Sequence, residues 1–416
     1  MFPLREKIAT LKCYKKTLPA STQRRGVEWV ISLNVKFKMY NIQMRFRVKG
    51  ENTGRNRVIL CGLGLFLCII EKFFVTLPRK FSKEEIMEEK MKERQQVTAL
   101  QEEIRRLRDE KNAVVLAHYY TTGDIQECAD FVGDSLALAR QAAQTDADII
   151  VMCGVHFMAE TCKLLSPRKK VLVPDPEAGC SLADSCNADD LRKWKEEHPD
   201  HLVVQYVNTT AATKALTDVV VTSGNAKKVI DQLPKDAKIL FGPDYNLGAY
   251  INSVTGREME LWQGGCHVHE RFSVEAIAKL KAEYPKAVVM AHLECKAPVL
   301  AMADVKGSTA DMIRYAKHLR KENDANHMEP PTFIVATEAG ILHELQRVCG
   351  DCTFIPVPPE MTEGNTSCGC NECQYMKMNT LQKLRDCLRD ETPEVTVDEA
   401  IAADAVKPIN RMLQLS

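Results

Sequence analysis

The fold of this chain is decided by three apolar stretches, Val114-Val-Leu-Ala-His118, Leu202-Val-Val-Gln-Tyr206 and Ala287-Val-Val-Met-Ala-His292. Each stretch is typical of a buried β-strand, and each opens a unit of similar design. The units begin about 85 to 90 residues apart, and a fixed period of this kind indicates repeated structural modules. A chain of 416 residues is long enough for three such lobes.

A small hydroxyl-bearing residue opens an amphipathic segment about twenty residues into each unit. These residues are Ser135, Ser223 and Thr309, and we interpret them as helix N-caps. Another apolar strand, a second helix and a last short strand follow in each unit. Alternation of helices with strands rich in Val, Ile and Leu is typical of parallel sheets covered on both faces. The sequence therefore predicts an α/β fold made of three similar lobes.

The three helix starts also predict a ligand site. In open parallel sheets, ligands bind beyond the carboxyl ends of the strands, where helix N-termini offer free backbone N–H groups. Three such starts that face one centre would bind anions. The alternative is that these residues only cap their helices. Their recurrence at one position in three repeats favours the anion site.

The sequence predicts six segments. They are a basic, poorly ordered extension over 1–82 outside the functional domain, a leading helix over 83–112, lobes over 113–183, 184–270 and 271–375, the last with a C-terminal cluster loop, and a helical segment over 376–416.

Charge and hydropathy exclude several classes of function. Residues 1–80 contain 17 Lys and Arg against 4 Asp and Glu, which leaves 39 against 52 in residues 81–416. Because the predicted folded part is acidic, we expect no nucleic-acid partner. The apolar run from Val58 to Ile70 is too short to cross a bilayer and lies too far along the chain for a secretory signal. We therefore expect a cytoplasmic protein with no membrane partner.

The chain has 16 cysteines, and a reducing compartment disfavours disulfides between them. We interpret one group as small buried hydrophobic residues: Cys13, Cys61, Cys68, Cys128, Cys153, Cys162 and Cys387. Cys349 and Cys352 form a C-x-x-C pair, which could be a redox pair or half a zinc site. Since no second pair stands at zinc-finger spacing, structural thiols are the favoured interpretation.

Cysteines in loops indicate a metal cluster shared by the lobes. They are Cys180, Cys266 and one of Cys368, Cys370 and Cys373. Dispersed single thiolates differ from a zinc ribbon, whose ligands come in close pairs, and suit an iron–sulfur cluster. Most 4Fe–4S clusters take four cysteines. With three, one iron keeps an open position and can act as a Lewis acid on a substrate oxygen, which predicts a lyase or a condensing enzyme.

Long motifs resemble those of the quinolinate synthase A family. They are AHYY (117–120), GDSLALAR (133–140), CGVHFMAETCKLLSPRKKVLVPD (153–175), YVNTTAATKA (206–215), VTSGNA (221–226), FGPDYNLGAYI (241–251), CHVHERF (266–272), AHLECKAPV (291–299), GSTADMIRYA (307–316) and CQYMKMNTL (373–381). The resemblance covers about residues 95 to 395. It implies a pseudo-threefold arrangement of three α/β lobes around one 4Fe–4S cluster per chain and a central active site. The implied cluster ligands are Cys180, Cys266 and Cys373.

Two departures from the family pattern stand near these motifs. Leu293 and Gln374 occupy positions where the family often has proline, and a C-x-C-x-x-C spacing replaces C-x-x-C-x-x-C. The shorter spacing puts in doubt a redox role for Cys368 and Cys370.

The resemblance also implies roles for individual residues. The catalytic residues would be His118, Tyr120, His292 and Glu294, and the substrate-binding residues would be Ser135, Tyr206, Asn208, Ser223, Ser308 and Thr309. His269 would border the cluster. Imidazole is a suitable general acid near neutral pH, although His118 could equally be a core histidine.

The implied reaction condenses iminoaspartate with dihydroxyacetone phosphate to quinolinate, phosphate and water in de novo NAD synthesis. Iminoaspartate hydrolyses readily, so an L-aspartate oxidase would be a functional partner. An iron open to substrate also predicts oxygen sensitivity. One alternative is another 4Fe–4S hydro-lyase, which would need no triose phosphate. The other is a thiol-based redox or metal sensor, which would tolerate Cys180→Ala.

Overall fold

The computed structural model describes residues 10–15, 27–37, 40–50, 83–360 and 371–416. The chain divides into two compact units, Met1–Ile86 and Met87–Ser416. In the first unit, an antiparallel sheet has the order β1-β2-β3 and consists of β1 Thr10–Lys15, β2 Val27–Phe37 and β3 Tyr40–Gly50. The sequence analysis did not anticipate these strands, and an extension outside the functional domain stays a prediction.

The apolar run from Val58 to Ile70 lies outside the described residues. Among the helices within the described ranges, none is both long enough and apolar enough to span a bilayer.

The second unit alternates strands and helices. The strands are β4 Ala113–His118, β5 Phe131–Gly133, β6 Ile149–Cys153, β7 Lys170–Leu172, β8 His201–Tyr206, β9 Val219–Val221, β10 Lys238–Gly242, β11 Glu260–Leu261, β12 Val288–His292, β13 Val305–Gly307, β14 Thr332–Ala336 and β15 Thr353–Pro356. The α-helices from residue 83 onward are Lys83–Glu110, Gly123–Cys128, Ser135–Gln144, His156–Leu165, Ser181–Ser185, Ala188–Glu197, Ala211–Lys214, Ala226–Gln232, Tyr245–Thr255, Val274–Glu283, Ala297–Met302, Thr309–Ala325, Ile341–Val348, Leu381–Asp390 and Glu399–Leu415. Single turns of 3-10 helix lie at His269–Arg271 and Met376–Met378.

The twelve strands form three parallel sheets with one topology. Their orders are β5-β4-β6-β7, β9-β8-β10-β11 and β13-β12-β14-β15. The predicted α/β class with three similar lobes is confirmed. In each lobe the first strand along the chain lies inside the sheet, between two neighbours, so its carboxyl end opens near the middle of the sheet edge where ligands bind.

One aspartate closes the same backbone ring in each lobe. The Asp130 carboxylate accepts from Val115 N–H at 2.8 Å, and its own N–H donates to the Val115 carbonyl at 2.9 Å. Asp218 makes the same pair of bonds with Val203, and Asp304 makes them with Val289. Each aspartate lies 15 residues beyond its partner. The repeat therefore extends to individual hydrogen bonds.

The helices begin near the predicted hydroxyl residues, but other residues cap them. The Asp134 carboxylate accepts from Ala137 N–H, and the Ser308 hydroxyl accepts from Asp311 N–H. In the second lobe the helix begins only at Ala226, with Asn225 at the N-cap position. The interpretation of Ser135, Ser223 and Thr309 as N-caps was wrong, because a capping residue must precede the first helical residue. None of these three hydroxyls therefore caps its helix.

The two last helices pack back on the lobes. Leu384 and Leu388 of Leu381–Asp390 join the core of the first lobe together with Ile104. Ile409 and Met412 of Glu399–Leu415 join the core that includes strands of the first two lobes. The described members of the buried-cysteine group, Cys128, Cys153, Cys162 and Cys387, are free thiols with at most 2% exposure, as predicted.

Candidate functional site

A cavity of about 720 Å³, partly open to solvent, brings the predicted site residues together. Its lining includes His118, Tyr120, Ser135, Cys180, Tyr206, Asn208, Ser223, Cys266, His269, His292, Glu294, Thr309 and Cys373. Ser308 is the predicted residue that does not line it. The Ser308 hydroxyl donates to the Asp311 carboxylate and accepts from Asp311 N–H in a capping box. Its hydrogen bonds are therefore made within the protein and not to the cavity.

The repeat explains why these side chains meet. The last residues of the three first strands are His118, Tyr206 and His292. Two residues further along are Tyr120, Asn208 and Glu294. All six residues line the cavity, so the three equivalent strand ends contribute two polar groups each to one space.

The two strand-end histidines are held alike. Nδ1 of His118 accepts from Tyr120 N–H at 3.1 Å, and Nδ1 of His292 accepts from Glu294 N–H at 3.3 Å. A ring nitrogen that accepts carries no proton, so Nε2 of each neutral ring is the N–H donor. Burial lowers the pKa of His118 to about 3 and that of His292 to about 4. The catalytic role of His118 stays a prediction, with Nε2–H of the neutral ring as its hydrogen-bond donor.

A chain of hydrogen bonds joins residues from all three lobes. The Tyr120 hydroxyl lies 2.8 Å from Thr337 Oγ1, which lies 2.9 Å from His269 Nε2. His269 Nδ1 lies 3.0 Å from one Glu294 oxygen, and the Tyr206 hydroxyl donates to the other at 2.7 Å. One proton assignment satisfies every member: each hydroxyl and His269 Nδ1–H donate toward Glu294, which is ionised.

The pKa values of the two ends of this chain move apart. Burial raises the pKa of Tyr120 well above its usual range, and the nearby Glu294 carboxylate raises it further. Burial alone would raise the pKa of Glu294, but His269, His292 and the Tyr206 hydroxyl outweigh it and lower that pKa. A protonated phenol and an ionised carboxylate thus lie in one cavity, in the protonation states in which they can donate and accept a proton.

The three candidate ligand cysteines share one local structure. Burial raises the pKa of Cys180 to about 12, that of Cys373 to about 11 and that of Cys266 well above its usual range. In each case the backbone N–H groups two and three residues further along oppose this rise. Such N–H groups stabilise a metal-bound thiolate, so the donor set fits a metal centre with sulfur ligands.

A second donor set overlaps the first. Cys266 Sγ, His269 Nδ1 and a Glu294 carboxylate oxygen lie within 4.8 Å of one another and could hold a metal ion. Cys266 belongs to both sets, so a metal cofactor bound by either set would have this sulfur as a ligand.

Polar atoms without partners also face the cavity. Asn208 Oδ1, Thr222 Oγ1 and His267 Nε2 are buried and have no hydrogen-bond partner among the described residues. Unpaired buried polar groups are costly, and a polar ligand would satisfy them. Asn208 Nδ2 lies 4.0 Å from Cys180 Sγ, so this amide is close to one candidate sulfur ligand.

Sequence reasoning missed Thr337 and Glu338, which directly follow β14. The motifs that carry the family resemblance include the ends of β4, β8 and β12 but not that of β14, the third strand of its lobe. The same rule of polar residues at strand ends would have found both.

The other cysteine pairs lie elsewhere. Cys349 and Cys352 are buried in the core of the third lobe and do not line the cavity, which agrees with structural thiols. Cys368 and Cys370 lie outside the described residues.

Comparisons with known proteins agree with this geometry. The family model described as quinolinate synthetase A protein matches residues 102–414. The chain is 49% identical over 313 residues to a quinolinate synthase of Microcystis aeruginosa, with coverage of 75% of this chain and 94% of that protein. It is 51% identical over 314 residues to one of Synechocystis, again at 75% and 94%. A third, of Chloroherpeton thalassium, is 51% identical over 315 residues at 76% and 94%. With three lobes, one shared cavity and this match over three quarters of its length, the chain belongs to the quinolinate synthetase A family of enzymes.

Proposed function

We propose that this enzyme condenses iminoaspartate with dihydroxyacetone phosphate to quinolinate, phosphate and two waters in NAD biosynthesis. The names of its relatives support quinolinate as the product. The observation that carries the proposal is the single cavity in which one cysteine from each lobe region meets an acid/base network. The cytoplasmic location and a functional link to an L-aspartate oxidase stay predictions.

We assign one 4Fe–4S cluster to Cys180, Cys266 and Cys373. When bound by three thiolates, such a cluster supplies an iron with an open position that acts as a Lewis acid. The backbone N–H groups at each sulfur support this assignment, because they favour the thiolate form that ligation requires.

Substrate oxygens have matching donors in the cavity. The substrates carry two carboxylates and a phosphate, and hydroxyls bind such anions well. We assign this role to Ser135 and Thr309, which begin their helices, to Ser223, which lies shortly before one, and to Tyr206 and Asn208 at the second strand end. Because Ser308 is occupied in its capping box, Thr309 is the better candidate of that pair.

The reaction needs protons to move in both directions. One carbon–carbon bond and one carbon–nitrogen bond form, phosphate leaves, and two waters are lost before the ring is aromatic. Glu294 is the base that removes protons from the substrate, and Tyr120 is the acid that protonates a leaving oxygen. Thr337 and His269 connect the two. His118 and His292 donate from Nε2–H as neutral rings.

The test is anaerobic purification with iron and sulfide analysis, visible absorption and a quinolinate assay with both substrates. We expect close to four irons per chain and loss of iron and activity in Cys180→Ala, Cys266→Ala and Cys373→Ala. Cys352→Ala is the matched control, because Cys352 is buried away from the cavity, and it should behave as the wild type. A chain that stays metal-free or binds only zinc after anaerobic reconstitution contradicts the proposal.

Catalytic turnover that needs no dihydroxyacetone phosphate would indicate the alternative function, another 4Fe–4S hydro-lyase. Reversible disulfides with full tolerance of Cys180→Ala would indicate a thiol sensor. Full activity after prolonged exposure to air would contradict the predicted oxygen sensitivity.

A further inference from the structure

Glu338 is a fully buried carboxylate beside the cavity, and all its partners are charged or backbone donors. Oε1 accepts from Cys373 N–H at 2.9 Å and contacts the Lys377 ammonium at 2.9 Å. Oε2 accepts from Gly340 N–H at 2.6 Å. A buried charge is tolerated only when it is paired and hydrogen-bonded, and these three donors meet that condition.

Lys377 connects this carboxylate to the first lobe. Its ammonium also donates to the Tyr120 carbonyl at 2.7 Å. The Tyr120 hydroxyl, at the other end of that residue, contacts Thr337, the neighbour of Glu338. Tyr120 is thereby held at both ends by groups whose position depends on residues 337 and 338.

A second backbone contact aligns the segment that contains Cys373. Ala339 N–H donates to the Asn371 carbonyl at 2.9 Å. With the bond from Cys373 N–H to Glu338, two contacts fix residues 371–373 against residues 338–340. The side chain of Glu338 therefore positions the backbone of Cys373, the candidate ligand. Its ammonium partner, Lys377, positions the backbone of Tyr120, the candidate acid.

We propose that Glu338 and Lys377 are positioning residues that assemble the site, by seating Cys373 as the third cluster ligand and Tyr120 as the acid. The inference rests on the proposed function for the ligand role of Cys373. Neither residue reacts with substrate in this proposal.

The first test uses metal-free protein, so it does not depend on the cluster. The rate of alkylation of Cys373 by iodoacetamide is measured by peptide mass spectrometry in the wild type, Glu338→Gln and Lys377→Met. The amide introduced by Glu338→Gln presents an NH₂ group to at least one of the backbone N–H donors. The substitution Lys377→Met leaves the carboxylate without its cation. We expect alkylation to be roughly tenfold faster in both variants, as loss of a charged hydrogen bond predicts.

Two variants serve as controls. Glu344→Gln removes another buried carboxylate with a cationic partner, Arg347, in the same lobe but off the cavity. It should keep the wild-type rate. Lys377→Arg keeps the charge and should restore slow alkylation, which a general loss of folding would not.

The second test measures iron after anaerobic reconstitution and its rate of loss to a chelator. We expect Glu338→Gln and Lys377→Met to lose iron about tenfold faster than the wild type and Glu344→Gln. Equal alkylation and equal iron loss in all proteins overturns the inference. If wild-type protein binds no iron but alkylation differs as expected, the cluster assignment fails and the seating of Cys373 stands.

Discussion

The first and third lobes begin alike and end their first strands differently. β4 and β12 both finish in histidine, and both rings accept at Nδ1 from the backbone N–H two residues on. At that second position the first lobe has Tyr120 and the third has Glu294. The pKa of the phenol is raised and that of the carboxyl is lowered. The repeat thus fixes the backbone and the imidazoles, and the side chain two residues further along distinguishes the proposed acid, Tyr120, from the proposed base, Glu294.

The strongest test of this difference is Glu294→Gln. We expect quinolinate formation to fall by about 10³-fold or more, because the base is lost while the shape is kept. Iron content should stay at the wild-type value, with Glu344→Gln as the control carboxylate. Loss of iron in Glu294→Gln would mean that the overlapping donor set with Cys266 and His269 holds the metal.

Tyr120→Phe removes the hydroxyl of the proposed acid and should lower kcat by about 10²-fold. The ring keeps its edge contact with His118, at 4.6 Å between centroids, so the fold should not change. Tyr119→Phe is the matched control, since Tyr119 does not line the cavity. A loss in Tyr119→Phe as large as that in Tyr120→Phe would contradict the assignment of the acid to Tyr120.

We expect His118 and His292 to make similar contributions to the pH dependence of stability, in contrast to the different roles of Tyr120 and Glu294. Their pKa values, about 3 and about 4, lie below the ordinary 6.5, so below pH 6.5 the unfolded chain binds protons that the folded chain does not. Acidification from pH 6.5 to 4.5 should cost about 2 kcal/mol of unfolding free energy per histidine. Urea unfolding of metal-free protein measures this loss of unfolding free energy. His118→Asn and His292→Asn should each reduce the loss by an equal amount. Unequal shares would show that the two strand ends are not equivalent.

Thr337→Val should have the smallest effect, about a tenfold loss of kcat, because a positioning hydroxyl between Tyr120 and His269 is removed. Thr337→Ser restores the hydroxyl and should restore the rate. Wild-type activity in Thr337→Val, which keeps the methyl group and lacks the hydroxyl, would show that the hydrogen-bond chain is not used.

Much of the fold follows from local sequence. Apolar runs at a fixed period predict the strands and the three lobes, since burial on both faces of a parallel sheet needs such runs. The helix starts were predicted within a few residues, but the N-caps were not. Asp134 and Ser308 cap the helices and directly precede the predicted caps, Ser135 and Thr309. Capping depends on which residue is the first helical one, and periodicity defines that boundary poorly.

The site was only partly predictable. The residues at the ends of the first strands were predicted from the family motifs, and the repeat places them at equivalent positions in the three lobes. Lys377 and Tyr120 are 257 residues apart in sequence, and no local pattern links residues so distant. The choice of Cys373 among three neighbouring cysteines came from the family resemblance, not from spacing.

The aspartates Asp130, Asp218 and Asp304 affect how the sequence of this protein can evolve. Each closes its ring within its own lobe, so each lobe carries its own support for its first strand. Substitutions at the strand ends therefore leave that support intact. Three copies of one module can acquire a phenol, an amide and a carboxylate independently, which makes a repeated scaffold an evolvable source of asymmetric chemistry.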